Sequence, residues 1–291
     1  MIIEKESEIK VLRNFCNNAF NYFSIAEISD KTKISRNWIY RVINKFEKLG
    51  ILDKSGKKYK LDFFKLFCKR LKLLFDSEYL DCLNLKIKNR VLDTANKLIF
   101  EIAPKSIILV GSVALQKQKN ESDVDFLVIT KEKDKKIPYF ENCNIVLLNE
   151  KELKEKYLKG DDFIISALLF GKIIYDNNVF IKFYESPLPI FSQEIIQEKI
   201  KYCEKLEERI YTLLKTDEKK AKEELLYLAL QSARVILLKN KIAPKTKYDI
   251  AEQVNQFDKK ITRIIKELLG KKEIHKEKML DYIKICMEIT R

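Results

Sequence analysis

The sequence predicts a multidomain α+β protein with three parts: helices followed by a basic hairpin, a central α/β core with a small mixed sheet, and a helical C-terminal region. Three observations support this class. Residues 107–110 (IILV) form an unbroken apolar run typical of a strand buried on both faces. Gly50 separates a helical pattern from a strand pattern near the N-terminus, and Gly56 lies in the turn between two short strand patterns. After Pro187 and Pro189 the apolar residues recur only at helical spacing.

Charge is distributed unevenly along the 291 residues, whose net charge is +14. Residues 1–75 hold 17 lysines and arginines against 8 acids, a charge of +9. Residues 76–190 hold 17 against 18, or −1, and residues 191–291 hold 23 against 17, or +6. Basic ends suggest a polyanionic partner. A lysine-rich composition shared with a whole genome is the alternative explanation.

Several function classes are disfavoured by composition. No apolar run approaches the ~20 residues of a membrane span, and the N-terminus turns charged at once, so we expect no membrane association and a cytoplasmic location. The six cysteines are scattered without a Cys-x-x-Cys pair, which argues against a zinc site or a disulfide framework. His275 is the single histidine, which argues against histidine-dependent chemistry.

The first 62 residues predict three helices and a hairpin. Ser24 followed by Glu27 predicts a capping box at the second helix. Ser35 predicts the start of a third helix over residues 36–49, and Gly50 suits the residue that ends it. The basic hairpin then follows.

The outward side of the third predicted helix carries polar and basic side chains. These are Arg36, Asn37, Tyr40, Arg41 and Asn44, and the hairpin adds Lys57 and Lys58. Such residues contact base edges and phosphates in a major groove. The order of elements resembles the winged helix-turn-helix of prokaryotic regulators, which implies duplex DNA as a partner. A winged helix used for protein contacts or dimerisation is the alternative.

Two helices should lead into the central core. Residues 63–83 predict a connector helix with an apolar stripe of Phe64, Phe67, Leu71 and Leu74. Residues 84–102 predict a second helix, which Pro104 ends before the buried strand. The core itself is expected to span residues 84–186.

The chemistry is expected where the strand at 107–110 ends. Gly111 lets the backbone approach a bulky anion, and Ser112 offers a hydroxyl and an N–H to phosphate oxygens. Asp123 and Asp125 open the next strand and point to the same face, roughly 7 Å apart. Neighbouring carboxylates repel each other, and oxygen ligands at this spacing suit Mg²⁺. The alternative is an exposed turn with solvated acids.

Gly-Ser followed about ten residues later by Asp-x-Asp resembles the nucleotidyltransferase superfamily that includes DNA polymerase beta, in particular the minimal and kanamycin-type enzymes of prokaryotes. The resemblance covers roughly residues 85–185. It implies that Gly111 and Ser112 bind the nucleotide, and that Asp123 and Asp125 are catalytic and bind two Mg²⁺ ions. The substrate would be ATP or another nucleoside triphosphate, and a nucleoside monophosphate would pass to an acceptor hydroxyl.

The family has a third carboxylate on the following strand, and here the sequence departs from it. Asn144 stands at that place, in the strand predicted at 144–148. An amide carries no charge and cannot take a proton, so the second metal site should be weaker. Glu141 is the alternative if this alignment is shifted.

Residues 190–291 predict a helical bundle similar to those that accompany these nucleotidyltransferases, including a group of toxin–antitoxin ribonucleases. Those ribonucleases have an Arg-x(4–6)-His motif, but no such histidine follows Arg234, and Lys247 stands where a similar motif has histidine. We expect packing and homodimer formation from this bundle, with nucleotide or RNA contact as the alternative.

Three functions stay open on the sequence. The first is a nucleotidyltransferase that transfers AMP from ATP. The second is a nucleotide-sensing, DNA-binding transcriptional regulator with weak catalysis. The third is an antitoxin that caps a helical partner.

Overall fold

The computed structural model describes residues 3–118, 122–131, 138–270 and 274–290. The chain separates into two compact units. The first comprises Met1–Leu153 with Ala167–Leu188, and the second comprises Lys154–Ser166 with Pro189–Arg291. The structure is mixed α and β with one small mixed sheet, as predicted. The domain boundaries after residues 62, 83 and 186 remain predictions.

The first unit begins with three helices and an antiparallel hairpin. Their bounds are α1 Glu6–Asn17, α2 Ile25–Thr32, α3 Arg36–Lys48, β1 Leu52–Ser55 and β2 Lys58–Leu61. An isolated bridge pairs Phe23, which precedes α2, with Tyr59 of β2. Apolar side chains of the three helices form the core beneath the hairpin: Val11, Leu12, Phe15, Ile28, Ile39, Ile43 and Phe46 are at most 1% exposed.

Local capping explains where these helices begin and end. Ser24 Oγ accepts the amide of Glu27, and the Glu27 carboxylate accepts the amide of Ser24, so the predicted capping box is confirmed. Gly50 follows α3 with a φ of 65°, a left-handed conformation that suits glycine. Ser35 takes the N-cap position of α3, but among the described residues its side chain makes no capping hydrogen bond.

The helix predicted over residues 63–83 is shorter and buries a different face. It comprises α4, Leu66–Glu78, and a 3-10 turn, Tyr79–Cys82. The predicted stripe is wrong at Phe64 and Leu74, which are 71% and 53% exposed. The buried residues of α4 are Cys68, Leu71, Lys72, Phe75 and Asp76. Lys72 and Asp76 pair with each other inside the protein, which a search for apolar spacing alone cannot detect.

A four-stranded mixed sheet forms the centre of the first unit. Its strands are β3 Ser106–Val110, β4 Val124–Thr130, β5 Cys143–Asn149 and β6 Lys172–Asp176. Their order is β5-β4-β3-β6, with β4 and β5 parallel and β3 antiparallel to both its neighbours. Every residue of β3 is buried, as predicted.

Helices complete the connections of this sheet. They are α5 Leu85–Ile102, the short α6 Gly111–Ala114, α7 Glu150–Lys159 and α8 Asp162–Phe170. The face of α5 that carries Ile87, Val91 and Leu98 packs against apolar residues of β3 and β4. The sequence predicts a charged turn at residues 131–136, of which only residue 131 lies in the described part of the chain.

The second unit is helical and has its own apolar core. Its further helices are α9 Gln193–Leu213, α10 Glu218–Lys239, α11 Ile250–Val254, α12 Lys259–Leu269 and α13 Lys276–Thr290. One side of α10 is buried in this core, at Leu225, Leu228, Ala229, Ser232 and Ala233, each 0% exposed. Across the described ranges, no helix has the length and apolar content needed to cross a bilayer.

Candidate functional site

Polar residues from three neighbouring strands meet at one end of the sheet. Val110, the last residue of β3, pairs with Asp125 of β4. Asp125 pairs in turn with Asn144 of β5. The sheet register therefore brings Gly111, Asp125 and Asn144 to one place, although they are separated in sequence by up to 33 positions.

Only glycine fits at position 111, because its backbone lies so close to the Asp125 side chain. Its φ is 71°, a conformation that side-chain-bearing residues rarely adopt. A Cβ atom built on Gly111 would lie 2.2 Å from Asp125 Oδ2, far inside van der Waals contact. The sequence suggested only that this glycine admits an anion to the backbone; the structure adds that it admits the carboxylate of Asp125.

The turn that begins at Gly111 closes on Ser112. The Ser112 carbonyl accepts the amides of Leu115 at 3.2 Å and of Lys117 at 2.9 Å. Ser112 is half-buried beside the exposed Gly111. These bonds shape a compact turn at the end of β3, where an N–H and a hydroxyl of the kind that bind phosphate can be presented.

The two aspartates differ in exposure. Asp123 lies just before β4 and is exposed, whereas Asp125 lies within β4 and is half-buried. Val124 and Phe126, which alternate with them, are 0% exposed. The alternation directs the carboxylates and the apolar side chains to opposite faces of the strand.

Asn144 interacts directly with Asp125. Its Nδ2 donates to Asp125 Oδ1 over 3.0 Å. Glu141, the alternative third carboxylate, lies in the turn before β5 and is exposed. The register therefore favours Asn144 over Glu141 as the residue beside the aspartates.

The oxygen donors at this site are of the type that Mg²⁺ binds. Mg²⁺ commonly uses one or two protein carboxylates and completes its shell with water and substrate phosphates. Asp123 and Asp125 meet that requirement. Within the described residues, no group of three or more His, Cys, Asp or Glu side chains is placed to hold a metal. A third protein ligand here would be the Asn144 amide oxygen.

Two further residues adjoin the site and were not predicted. Arg90 of α5 donates from Nη1 to the carbonyl of Ser122, 3.4 Å away, just before Asp123. Cys143 precedes Asn144 and lies 3.5 Å from the Thr94 hydroxyl. Burial raises the pKa of Cys143, against the lowering effects of Thr94 and Arg90, so it remains a neutral thiol at neutral pH. Neither residue belongs to a motif that the sequence alone could identify.

The residues predicted to contact DNA lie on the surface of the first unit. Tyr40 is 56% exposed, and the other five, Arg36, Asn37, Arg41, Lys57 and Lys58, are exposed as well. Arg41, Asn44, Lys45 and Lys48 line an open groove along α3. Trp38 instead packs towards α1, where its Nε1 donates to Ser7 Oγ at 2.7 Å.

The second unit uses its charged residues differently. Arg234 Nη1 lies 2.9 Å from Asp162 Oδ2, and Lys199 Nζ lies 2.9 Å from Asp162 Oδ1. Lys247 and His275 are exposed. Arg234 is thus engaged in an internal ion pair, which is consistent with a packing role.

The family model described as "Nucleotidyltransferase domain" matches residues 91–278, more than half of the chain. A solved structure, that of a nucleotidyltransferase-like protein from Exiguobacterium sibiricum 255-15, has 16% sequence identity and a TM-score of 0.39, covering 68% of this chain and 73% of that one. A search of curated proteins gives no match.

Proposed function

Since this chain belongs to the nucleotidyltransferase domain family, we propose that it transfers AMP from ATP, or a nucleoside monophosphate from another triphosphate, to an acceptor hydroxyl. The observation that carries the proposal is the contact between the Gly111 turn and Asp125. The turn that we propose binds phosphate and the carboxylate that we propose binds a metal therefore lie at the same end of the sheet. Such an arrangement suits phosphoryl transfer, which depends mainly on positioning and charge neutralisation.

Each residue has a role in this proposal. Ser112 and the backbone at Gly111 would bind the terminal phosphates, and Asp123 with Asp125 would bind two Mg²⁺ ions. Bound Mg²⁺ supplies positive charge to the phosphates and lowers the pKa of the attacking hydroxyl. The acceptor oxygen forms a bond to the α-phosphorus while the bond to the bridging α–β oxygen breaks. Pyrophosphate leaves with the electron pair, and the hydroxyl proton passes to water.

Asn144 sets the expected rate. A carboxylate in its place could accept a proton and bind a metal as an anion. The Asn144 amide carries no charge and cannot accept that proton, so it offers a metal only a neutral oxygen. Its hydrogen bond to Asp125 also draws on one of the oxygens available to a cation. We therefore expect normal nucleotide binding and slow transfer.

The presence of Asn144 in place of a third carboxylate also favours a second candidate. This candidate is a nucleotide-sensing regulator that binds DNA and has weak catalysis. A protein that binds ATP without turnover, and whose DNA affinity changes with ATP, would fit this candidate better than the enzyme.

We propose that the N-terminal helices and hairpin form a winged helix that binds duplex DNA. The exposed side chains of α3 and of the hairpin turn support this. In the full-length protein, each phosphate contact should contribute about −0.9 to the slope of log K against log salt. Arg41→Ala should therefore reduce the slope by about one contact. Lys10→Ala, which removes an exposed cation of α1, is the matched control. Absence of any salt-dependent retardation would favour protein contacts instead.

A homodimer formed through the helices of the second unit is a further proposal. Tyr202, Tyr211 and Tyr227 there are 42%, 39% and 57% exposed, which leaves aromatic surface for a second copy. Sedimentation of the full chain at several concentrations tests it, and a monomer throughout would exclude it.

The nucleotide site is tested by calorimetric titration of ATP, with and without Mg²⁺, into the wild type and into Asp123→Asn combined with Asp125→Asn. Wild-type binding should depend on Mg²⁺ and be weakened in the variant. Asp93→Asn, an exposed carboxylate on α5, is the control. Equal affinity in all conditions would overturn the proposal. Labelled ATP incubated with Mg²⁺ and lysate then tests transfer to an acceptor.

A further inference from the structure

One tyrosine holds the turn after β3 from outside. The Tyr79 hydroxyl donates to the carbonyl of Val113 over 2.5 Å. The same carbonyl accepts the amide of Gln116 at 3.3 Å, so it lies at the centre of the turn. Burial raises the pKa of Tyr79 to about 12, and its hydroxyl therefore stays protonated and able to donate at neutral pH. Val113 directly follows Ser112, the proposed phosphate ligand.

The ring of Tyr79 is fixed in turn by Lys172. Its Nζ lies 4.8 Å from the ring centroid, and the side chain is 14% exposed. A cation over an aromatic face is attracted more strongly where solvent is excluded. Lys172 pairs with Leu109 in the register of β6 and β3. It therefore links Tyr79 to the strand that leads into Gly111.

A buried carboxylate, that of Asp76, lies near Lys172 at the limit of an ion pair. Asp76 is fully buried, and its Oδ1 lies 4.0 Å from Lys172 Nζ. Its Oδ2 accepts from Lys72 at 2.5 Å and from the amide of Ile173 at 3.0 Å. A buried carboxylate bonded to both α4 and β6 leaves little freedom for the side chains around it.

We propose that Tyr79 is a positioning residue for the triphosphate: through Val113 it holds the turn of residues 111–116 in the shape that lets Ser112 meet the terminal phosphates. This inference rests on the proposed function. Tyr79 touches no reacting atom itself. Because it acts on the turn alone, its loss should weaken phosphate contacts and leave contacts to the base and sugar intact.

Tyr79→Phe tests this, since it removes only the hydroxyl. Calorimetry should show the Kd for Mg-ATP rising about five- to tenfold, the size expected for one hydrogen bond. The Kd for AMP, which lacks the β- and γ-phosphates, should stay unchanged. Amide hydrogen exchange at Leu115 and Gln116 should be faster in the variant without nucleotide. Lys172→Met should weaken Mg-ATP binding in the same direction by a smaller factor.

The matched control is Tyr22→Phe, which loses a hydroxyl bond of 2.5 Å to Asp53 Oδ2 of the N-terminal hairpin in the same unit. It should lower the Tm comparably and leave both affinities unchanged. Unchanged exchange at the turn in Tyr79→Phe, or equal losses of ATP and AMP affinity, would overturn the inference. A wild type that does not bind Mg-ATP would overturn the proposed function and this inference with it. If the wild type binds Mg-ATP and Tyr79→Phe shows neither the faster exchange nor the selective loss of ATP affinity, the inference fails and the proposed function stands.

Discussion

The aspartates of the two units differ in how far solvent reaches them. Asp162 of the second unit is buried, whereas Asp123 and Asp125 of the first unit are exposed and half-buried. Asp162 is 1% exposed and lies 2.9 Å from both Lys199 and Arg234. Its burial tends to raise its pKa, but the two cations outweigh this and the pKa is lowered. Asp123 is exposed to solvent, and Asp125 accepts an amide hydrogen bond from Asn144.

This difference separates structural carboxylates from those suited to a ligand. A charge removed from water must find its counter-charge within the fold, as Asp162 does. A carboxylate that solvent reaches can exchange water for a cation that arrives with the substrate. We therefore expect substitutions at Asp162 to change stability, and substitutions at the strand ends to change chemistry.

The largest expected effect is at Asp125. Asp125→Asn should lower nucleotide transfer by about 10²–10³-fold, the usual cost of removing one group that stabilises the transition state. The Tm should not fall, because the substitution relieves repulsion between neighbouring carboxylates. Pyrophosphate release with lysate as the source of acceptor, beside thermal unfolding, measures both. A large loss of stability with intact transfer would place Asp125 in the same class as Asp162.

Gly111→Ala should move the Asp125 side chain without changing its charge. A Cβ at this position would lie 2.2 Å from the carboxylate, so the side chain must shift. We expect transfer to fall by about 10²-fold, as for other small misplacements of reacting groups. Gly50→Ala is a matched control, with a φ of 65° and no atom within 4 Å of the added Cβ. It should cost about 1–2 kcal/mol of stability through backbone strain and leave transfer intact. Equal transfer in the two variants would contradict the Gly111–Asp125 contact.

Asp162→Ala is the reverse experiment. It leaves Lys199 and Arg234 partly buried without their counter-charge, and the free energy of unfolding should fall by about 3 kcal/mol. Mg-ATP affinity should not change. Chemical denaturation and calorimetry of the same preparation measure both. A variant that keeps its stability and loses ATP affinity would show that this cluster belongs to the functional site.

Asn144→Asp asks whether a third carboxylate improves the site. We expect pyrophosphate release to rise about tenfold, less than the ~10²–10⁴-fold that general-base catalysis typically contributes. Mg-ATP binding should tighten little, because substrate oxygens already supply much of the metal shell. An unchanged or lower rate, beside brisk turnover by the wild type, would point to Glu141; Glu141→Gln should then lower the rate.

The smallest effect is in acid. Because the pKa of Asp162 is lowered in the folded state, its stabilising contribution is present above the ordinary aspartate value of 3.8 and is lost as the pH falls below that value. Asp162→Asn cannot titrate there, so the stability difference between wild type and variant should shrink towards low pH. Denaturant unfolding from pH 6 to about pH 2.5 measures it. A difference that is constant over this range would contradict the ion-pair interpretation.

Much of this fold follows from local sequence. The capping box at Ser24 and Glu27 was predictable because its donors and acceptors lie three residues apart. The same holds at Asn149, whose Oδ1 accepts the amide of Glu152 at 2.8 Å. The buried strand at residues 107–110 was predictable because apolar residues are continuous there. The Gly-Ser and Asp-x-Asp motifs indicated where the candidate site lies because only ten residues separate them in the sequence.

Other features depend on contacts between residues far apart in the sequence. The exposed position of Leu74 could not be foreseen from apolar spacing, because Lys72 and Asp76 take the buried side of α4 by pairing with each other, and Asp76 also accepts the amide of Ile173. Phe64 precedes α4 and is exposed as well. The bond from Tyr79 to Val113 spans 34 residues, and no spacing rule reaches across that distance.

Most elements, the capping box of α2 and the residue types at the site could be predicted from the sequence alone, since these depend on neighbours within about one turn or one strand. Tertiary structure decided the register that places Asn144 against Asp125 and Asp125 against Gly111. The physical reason is that a strand register is selected by all the contacts along a sheet at once. A side chain's partner across the sheet is therefore known only when the whole sheet has formed.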